Sequence, residues 1–390
     1  MTLSTKETER VSVDLEWLAA AAVGALAESL GPVELRLGEP LVSSDRAWVV
    51  RAVARDHAGR GHRVVLKAPT GADQGSLREE AALGLATEQR LPGVVRLLGT
   101  SLAPPLLVLA DLGAGPTLAD RLLGDDPSSA ESAVLAWAGA VGRLQAESTG
   151  LRPEFDARLA ALSPLGPPVV DTSAGSVSEA AGVLTRTLPQ LGVAIRAAAI
   201  DELHGVADAL DVSAPGSPGG LVPGDTCPSN AIETENGMVL LDFEGAEYRH
   251  LAWEAAYLSV PWPSCWCSWG LPAQVSANAL DRWRQAVMTT TPVVATTRFA
   301  DDLARATIGW VFISAGWFLA GALDGDPPPA DPARRSMVPT RRALLQHRLG
   351  VAAAYDTTVL PELRQLAAQM YEATTRVWGE HPLPLAPAFR

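Results

Sequence analysis

Asp225, Asn230 and Asp242, set in the run GDTCPSNAIETENGMVLLDFE, are of the right types and spacing to build a metal–phosphate site. Asn236-Gly237 reads as a two-residue hairpin turn between Ala231–Glu235 and the apolar run Met238–Leu241. Counting outward from that turn pairs 235 with 238, 232 with 241 and 231 with 242. Asn230 then lies diagonal to Asp242, about 7–8 Å away. An amide oxygen and a carboxylate converging on one point suit Mg2+, which takes hard oxygen ligands and leaves positions for phosphates. Asp225, five residues before Asn230, falls beside such a metal rather than on it, the place for a general base acting on a hydroxyl. Taken singly, an Asp or Asn in such a run is more often a turn-former or helix N-cap than a ligand. The ordered set G-D-x-x-P-x-N, hairpin, D-F-E points to phosphoryl transfer.

Lysine usage adds a second candidate. Of 31 Lys plus Arg, only Lys6 and Lys67 are lysines, in a chain rich in Ala, Gly and Pro. A lysine kept mid-chain against such a bias suits a task for a compact point charge, such as holding phosphate oxygens.

These residues must be positioned by the elements around them. Asp14–Leu30 has the pattern of an amphipathic helix stopped by Gly31-Pro32. Strand-like segments follow at Val33–Leu37, Ala47–Ala54 and Arg63–Ala68, the last carrying Lys67. Ser76–Arg90 is helical and carries Glu79 and Glu80; Val94–Gly99 and Leu106–Leu109 fit two further strands. This β-β-β-α-β-β order, with a strand lysine and a helix glutamate, is that of a kinase small lobe, where a Lys–Glu ion pair holds the lysine on the α- and β-phosphates. The break ADLGAGPTL suits a hinge, and the chain beyond it is mostly helical. The expected architecture is therefore α+β and two-lobed. A small antiparallel sheet with one helix occupies residues 1–110, and a large, mostly helical lobe with the catalytic loop and metal segment occupies 111–390.

Composition narrows the partners. A net charge of −13 argues against nucleic acid and is permissive for a cationic substrate. The polar opening MTLSTKETER is no signal peptide, and three cysteines imply no disulfide framework, so a reducing, cytoplasmic setting is expected. Ala306–Leu323 is free of charge for 18 residues, close to the lower limit for spanning a bilayer. Its glycines, serine and threonine, and its place among helical patterns, favour a buried helix of a large domain, with no membrane partner.

With Lys67, Glu79, the hinge and the Asp225/Asn230/Asp242 set in place, the chain resembles the aminoglycoside phosphotransferase family of kinase-like enzymes. LVLADLGAGPTLADRLLG and WAGAVGRLQAES resemble its strand, hinge and following helices, VPGDTCPSN its catalytic loop, and LLDFEGAEYRHLAWEAAYL its metal-binding segment. The resemblance spans roughly residues 33–260. It implies a kinase-like fold that transfers the γ-phosphate of ATP to a hydroxyl, with ATP and Mg2+ as cofactors. Lys67 would hold the phosphates and Glu79, or Glu80 beside it, would orient the lysine. Asp225 would accept or orient the acceptor proton, Asn230 and Asp242 would ligate the metal, and backbone groups around Ala110, Asp111 and Leu112 would meet adenine. Three positions depart from the family pattern. Pro223 stands where His often precedes the Gly-Asp and braces the loop. The loop Leu41–Trp48 has no glycine, although Ser43 and Ser44 could donate to phosphate. Glu244 replaces the Gly of the metal segment.

The acceptor is the least determined part. It is expected to be a small hydroxylated molecule such as an aminoglycoside-like antibiotic or related metabolite. A Ser/Thr hydroxyl of a natural-product precursor peptide, or a pseudokinase binding module, stands as the alternative. Glu244, Trp262 and Trp266 are candidates for the acceptor site, Trp269 could join the aromatic wall, and Glu247, Glu254 and Asp281 could meet an amino group. The tryptophans could instead pack the large lobe, and the acidic residues could form a solvated face. Cys227, Cys265 and Cys267 could bind zinc, but the tight CxC spacing and the lack of nearby His pairs favour ordinary buried thiols.

Overall fold

The computed structural model describes residues 15–43, 47–69, 74–162, 172–328 and 337–390. The small lobe opens with α1 (Leu15–Leu30) and three strands, β1 (Val33–Ser43), β2 (Ala47–Asp56) and β3 (Gly61–Pro69). After α2 (Gln74–Gln89) it closes with β4 (Leu97–Leu102) and β5 (Pro105–Ala110). The five strands form one antiparallel sheet in the order β1-β2-β3-β5-β4. Alternating burial along β2 and β3 shows why: Val50, Ala52, Ala54, Val64 and Leu66 share one apolar face with period two. That face is covered by α1, whose Leu18, Ala22 and Leu26 recur every four residues along one stripe. On the opposite face α2 buries Ala81, Ala82, Leu83, Leu85 and Ala86, which belong to the same core as the large lobe. That helix, with Leu91, Val95 and the β5 residues Leu107 and Leu109, joins the small lobe to the core of the large one.

The large lobe begins with α3 (Leu118–Leu123), α4 (Pro127–Glu147), α5 (Arg152–Leu162), α6 (Thr172–Thr187) and α7 (Ala197–Ala209). Short strands follow, β6 (Gly219–Val222), β7 (Ala231–Thr234), β8 (Gly237–Leu240) and β9 (Glu247–His250). It ends with α8 (Ala252–Ala255), α9 (Ala273–Met288), α10 (Thr297–Leu323), α11 (Arg341–Ala354) and α12 (Pro361–Trp378). The two-lobed α+β architecture is the one expected from the sequence. Only α10 among the described helices is long and apolar enough to cross a membrane, and 67% of its apolar window is buried inside the protein. Leu303, Ala306, Phe312, Ala315 and Leu319 pack it into the core, as the glycines and hydroxyls of that stretch suggested.

The small strands frame the chemistry. β6 pairs antiparallel with β9, so the loop leaving β6 and the segment entering β9 start and finish side by side. Between them β7 and β8 form the hairpin, with a register that differs from the sequence reading. Thr234 pairs with Gly237 and Ala231 with Leu240, so Glu235 and Asn236 are the turn rather than Asn236 and Gly237. The Thr234 hydroxyl donates to Gly237 O at 2.8 Å and accepts from Asn236 N at 3.2 Å, closing the turn one residue early. The pairing slips by two positions, which leaves every side chain on its expected face. Asn230 O accepts from Leu241 N at 2.8 Å, so Asn230 sits opposite the neighbour of Asp242, and the two still converge.

Candidate active site

Lys67 projects from β3 into the cleft between the lobes and meets two carboxylates. Its Nζ lies 2.6 Å from Glu79 Oε2 and 2.6 Å from Asp242 Oδ1. Burial opposes charge on this amine, but Glu79 and then Asp242 outweigh it and hold the ammonium well above its usual range. Glu79 is the pairing residue. Its other oxygen accepts from Phe243 N at 3.3 Å, so one buried carboxylate fastens both the lysine and the metal segment. Glu80 instead faces Thr100, with the charge of Arg158 further off. Arg78, one residue earlier, donates to Ala246 O at 2.9 Å, a second tie between α2 and the metal segment.

The cleft around Lys67 encloses about 380 Å³. Val49, Val65, Leu109 and Leu241 supply apolar walls, Ala110, Asp111 and Leu112 the back edge, and Asn230, Asp242 and Glu244 the polar floor. At the hinge, Ala110 N donates to Arg96 O and Asp111 N to Arg63 O, at 2.9 and 3.2 Å. Leu112 N is thus the first hinge donor without an acceptor among the described residues. Arg51 and Arg63 hold the hinge from β2 and β3, each within 3.5 Å of the Asp111 carboxylate, and Arg51 also donates to Gly113 O. Of the phosphate-loop candidates, Ser44 lies outside the described residues. Ser43 ends β1, and its side chain is likewise outside them.

Asp242 has φ of 60°, a left-handed conformation that Asp tolerates better than most residues. The strain is of the kind found at functional sites. Its carboxylate keeps 35% exposure in the cleft beside Asn230. Asn230 donates its Nδ2 to Asp225 O at 3.3 Å and its Oδ1 accepts from Ser229 Oγ at 3.3 Å, which leaves the second lone pair of the amide oxygen to offer a cation. An amide oxygen and a carboxylate fit a hard divalent ion, as their spacing had suggested.

Asp225 sits deeper. Its Oδ1 accepts from Ser264 Oγ at 2.8 Å, and Ser264 Oγ lies 2.8 Å from Tyr257 Oη. Because the serine proton goes to the carboxylate, the phenol donates to the serine. Burial keeps that phenol protonated, with Glu254 adding to the effect. Burial also raises the Asp225 pKa, opposed by the Ser264 hydrogen bond and assisted by the charges of Asp242 and Glu254. A carboxylate of raised proton affinity is suited to take a hydroxyl proton.

The loop carrying Asp225 is braced without the histidine that Pro223 replaces. Thr226 Oγ1 donates to Glu254 Oε2 at 2.6 Å, and Glu254 also pairs with Arg249. Arg249 reaches Glu247 at 2.7 Å and Gly224 O at 3.5 Å. Gly224 is required here: its φ is 87° and an added Cβ would stand 1.9 Å from Gly245 O. Glu247 and Glu254 are therefore buried structural partners of Arg249 rather than groups for an amino-bearing acceptor. Asp281 is an exposed partner of Arg284 on α9.

The aromatic wall also needs correcting. Trp262 is fully buried and packs edge-on against Trp137, with ring centroids 5.7 Å apart, so it belongs to the core and not to an acceptor surface. Trp269 is equally buried, while Trp266 is half-buried against it at 5.8 Å. The cysteines are buried as expected, but Cys227 and Cys265 are joined in a disulfide rather than standing as separate thiols. Sequence reasoning missed Ser264, Thr226 and Arg249. Their only signal is a polar residue inside a stretch that otherwise reads as core.

Comparison with known proteins supplies the family. A model of the phosphotransferase enzyme family matches residues 44–286, more than half of the chain. A search of curated proteins finds no match. Among solved structures, a choline/ethanolamine kinase family protein from Mesorhizobium loti is similar at 16% identity, covering 91% of this chain and 99% of its own, with a TM-score of 0.48. Choline kinase from Streptococcus pneumoniae matches at 13% identity over 84% and 96%, TM-score 0.45. A macrolide 2'-phosphotransferase from Brachybacterium faecium matches at 17% over 86% and 98%, TM-score 0.39. The chain belongs to the phosphotransferase enzyme family, as a kinase-type phosphotransferase.

Proposed function

We propose that the protein transfers the γ-phosphate of ATP to a hydroxyl of a small molecule, with Asp225 as the base, Lys67 on the phosphates, and Asn230 and Asp242 as ligands of Mg2+. The observation that carries this reading is Lys67 bridging Glu79 and Asp242 at 2.6 Å each across a cleft whose floor also holds Asn230. An ammonium held by two carboxylates is positioned to exchange one of them for phosphate oxygens, while Glu79 keeps it aimed. Magnesium, when bound, supplies charge neutralisation for the transferring phosphoryl group. Asp225 takes or orients the acceptor proton, its proton affinity raised by burial and trimmed by Ser264. Val49, Val65 and Leu109 exclude water from the nucleotide side of the cleft. Adenine is read at Leu112 N. Catalysis is then mostly positioning and electrostatics.

Glu244 lines the same cleft as Lys67, Asn230 and Asp242 and is the acidic candidate there for an amino-bearing acceptor. The test is label transfer from γ-labelled ATP to panels of amino alcohols, aminoglycosides, macrolides and Ser/Thr peptides. Transfer to a small molecule, lost in Lys67→Ala, is expected. Transfer to peptide alone would move the acceptor to a polypeptide. Absence of both transfer and Mg2+-dependent hydrolysis would leave a nucleotide-binding module.

A further inference from the structure

The chain has three cysteines, and all three sulfurs meet within 4.8 Å of one another in the large lobe, each residue buried. Cys227 follows Asp225 by two residues, and Cys265 directly follows Ser264. The two are joined with their Cα atoms 5.4 Å apart, within the ordinary range for a disulfide. The bond runs beside the Ser264–Asp225 hydrogen bond, so two neighbouring links tie the catalytic loop to the loop that carries Ser264. The sequence separation is 38, and the closed loop encloses Asn230, Asp242 and the Arg249–Glu254 brace.

We propose that Cys227–Cys265 is a reversible thiol–disulfide modification site that sets how firmly Asp225 is held on Ser264, with low-molecular-weight thiols of the glutathione class as its reductant. Both residues are buried, at 3% and 6%, so the exchange proceeds through local opening of the 257–269 loop, in which an incoming thiolate attacks Cys265 Sγ. The S–S bond breaks and its electron pair leaves on Cys227 Sγ. Ser229 Oγ stands 3.1 Å from that sulfur and 3.3 Å from Asn230 Oδ1, so its one proton, given to the amide oxygen or the sulfur, can turn to the sulfur when that becomes a thiolate. A second thiol attacks the mixed disulfide and releases Cys265, whose sulfur accepts from Cys267 N at 3.2 Å. Two thiols become one disulfide, and their two electrons and two protons pass to Cys227 and Cys265. Each leaving sulfur thus has a donor ready for its negative charge. A glutathione disulfide runs the same steps in reverse. Cys267 takes no part in the exchange, whereas a three-thiolate metal site would need it.

What the link controls rests on reading Asp225 as the base; whether the link forms and opens does not. The test is peptide mapping with rapid alkylation, paired with hydrogen exchange, on the full chain equilibrated with oxidised glutathione or with dithiothreitol. A 227–265 cross-linked peptide is expected in the first condition and its loss in the second. Amide exchange across 223–230 and 257–269 should be about tenfold faster in the reduced protein, as a constraint on those loops is removed. Cys267→Ser should respond as the wild type does, and Cys227→Ser/Cys265→Ser should exchange like the reduced form in both buffers. Absence of the cross-linked peptide, equal exchange in both buffers, or a bound metal ion in native mass spectra that is lost in Cys267→Ser would overturn the proposal. Redox-dependent exchange in a protein that transfers no phosphate would count against the Asp225 reading alone. Phosphotransfer with no redox dependence would count against the link alone.

Discussion

Ser264 Oγ donates a 2.8 Å hydrogen bond to Asp225 Oδ1 from a loop 39 residues further along the chain. The bond stabilises the ionised carboxylate, while burial works against it. A base must be deprotonated to act, so turnover should rise with pH through the Asp225 pKa, which lies above the ordinary carboxylate range. Ser264→Ala removes the lowering interaction, and the acid limb of kcat should move to higher pH. A pH–rate profile of the two enzymes checks this; an unmoved limb would show that Ser264 does not tune Asp225.

Neighbouring glutamates on α2 should separate cleanly. Glu79 bonds Lys67 and the metal segment, whereas Glu80 faces Thr100. Glu79→Gln should lower kcat/KM for ATP by about 10²–10³-fold, the scale for losing one preorganised electrostatic contact. Glu80→Gln should stay within a fewfold of wild type. The sequence could not choose between these residues, because an unanchored helix phase leaves adjacent positions open. Arg78 on Ala246 O and the apolar face of α2 fix that phase only in three dimensions.

Breaking the brace under the catalytic loop should cost stability more than it costs chemistry at any single atom. Glu254 is buried between Thr226 and Arg249, so Glu254→Leu leaves the buried guanidinium with Glu247 as its remaining carboxylate partner and takes the acceptor from the Thr226 hydroxyl. A loss of about 3–5 kcal/mol in urea unfolding is expected, the range for removing one partner of a buried pair. A loss below about 1 kcal/mol would mean that the brace is not structural.

Acid should weaken the fold through His250. Burial, with Arg298 adding to it, lowers this imidazole to about 4 from 6.5, although Asp302 stands 3.7 Å away. A depressed folded-state pKa means that the stabilisation is complete above about 6.5 and is lost as pH falls toward 4. The loss is on the order of 3 kcal/mol. Comparing urea unfolding of wild type and His250→Gln across that window isolates the contribution; identical slopes in the two proteins would contradict it.

The sequence disclosed the parts of the site that depend on residue type at short range. Lys67 on a strand, Glu79 on the next helix, and Asp225, Asn230 and Asp242 around one hairpin all follow from local pattern. The hairpin register lies two positions from the one an Asn236-Gly237 turn implies because Thr234 closes the turn before Gly237, and the even slip preserves the faces. What stayed hidden was long-range satisfaction of buried polar groups. Ser264 on Asp225, Thr226 on Glu254 and Arg51 on Asp111 join elements distant in sequence, with no spacing to announce them. The tryptophans of the 257–269 stretch were ambiguous for the same reason, and only packing against Trp137 assigns Trp262 to the core.

The most direct test of the account compares Asp225→Asn with Asp242→Asn by calorimetric titration of ATP with and without Mg2+, alongside turnover. Asp225→Asn should abolish turnover while keeping wild-type Mg2+-dependent ATP affinity, and Asp242→Asn should lose both turnover and the Mg2+ dependence of binding. Near wild-type turnover in Asp225→Asn, or undiminished Mg2+ dependence in Asp242→Asn, would contradict the assignment of base and metal ligand.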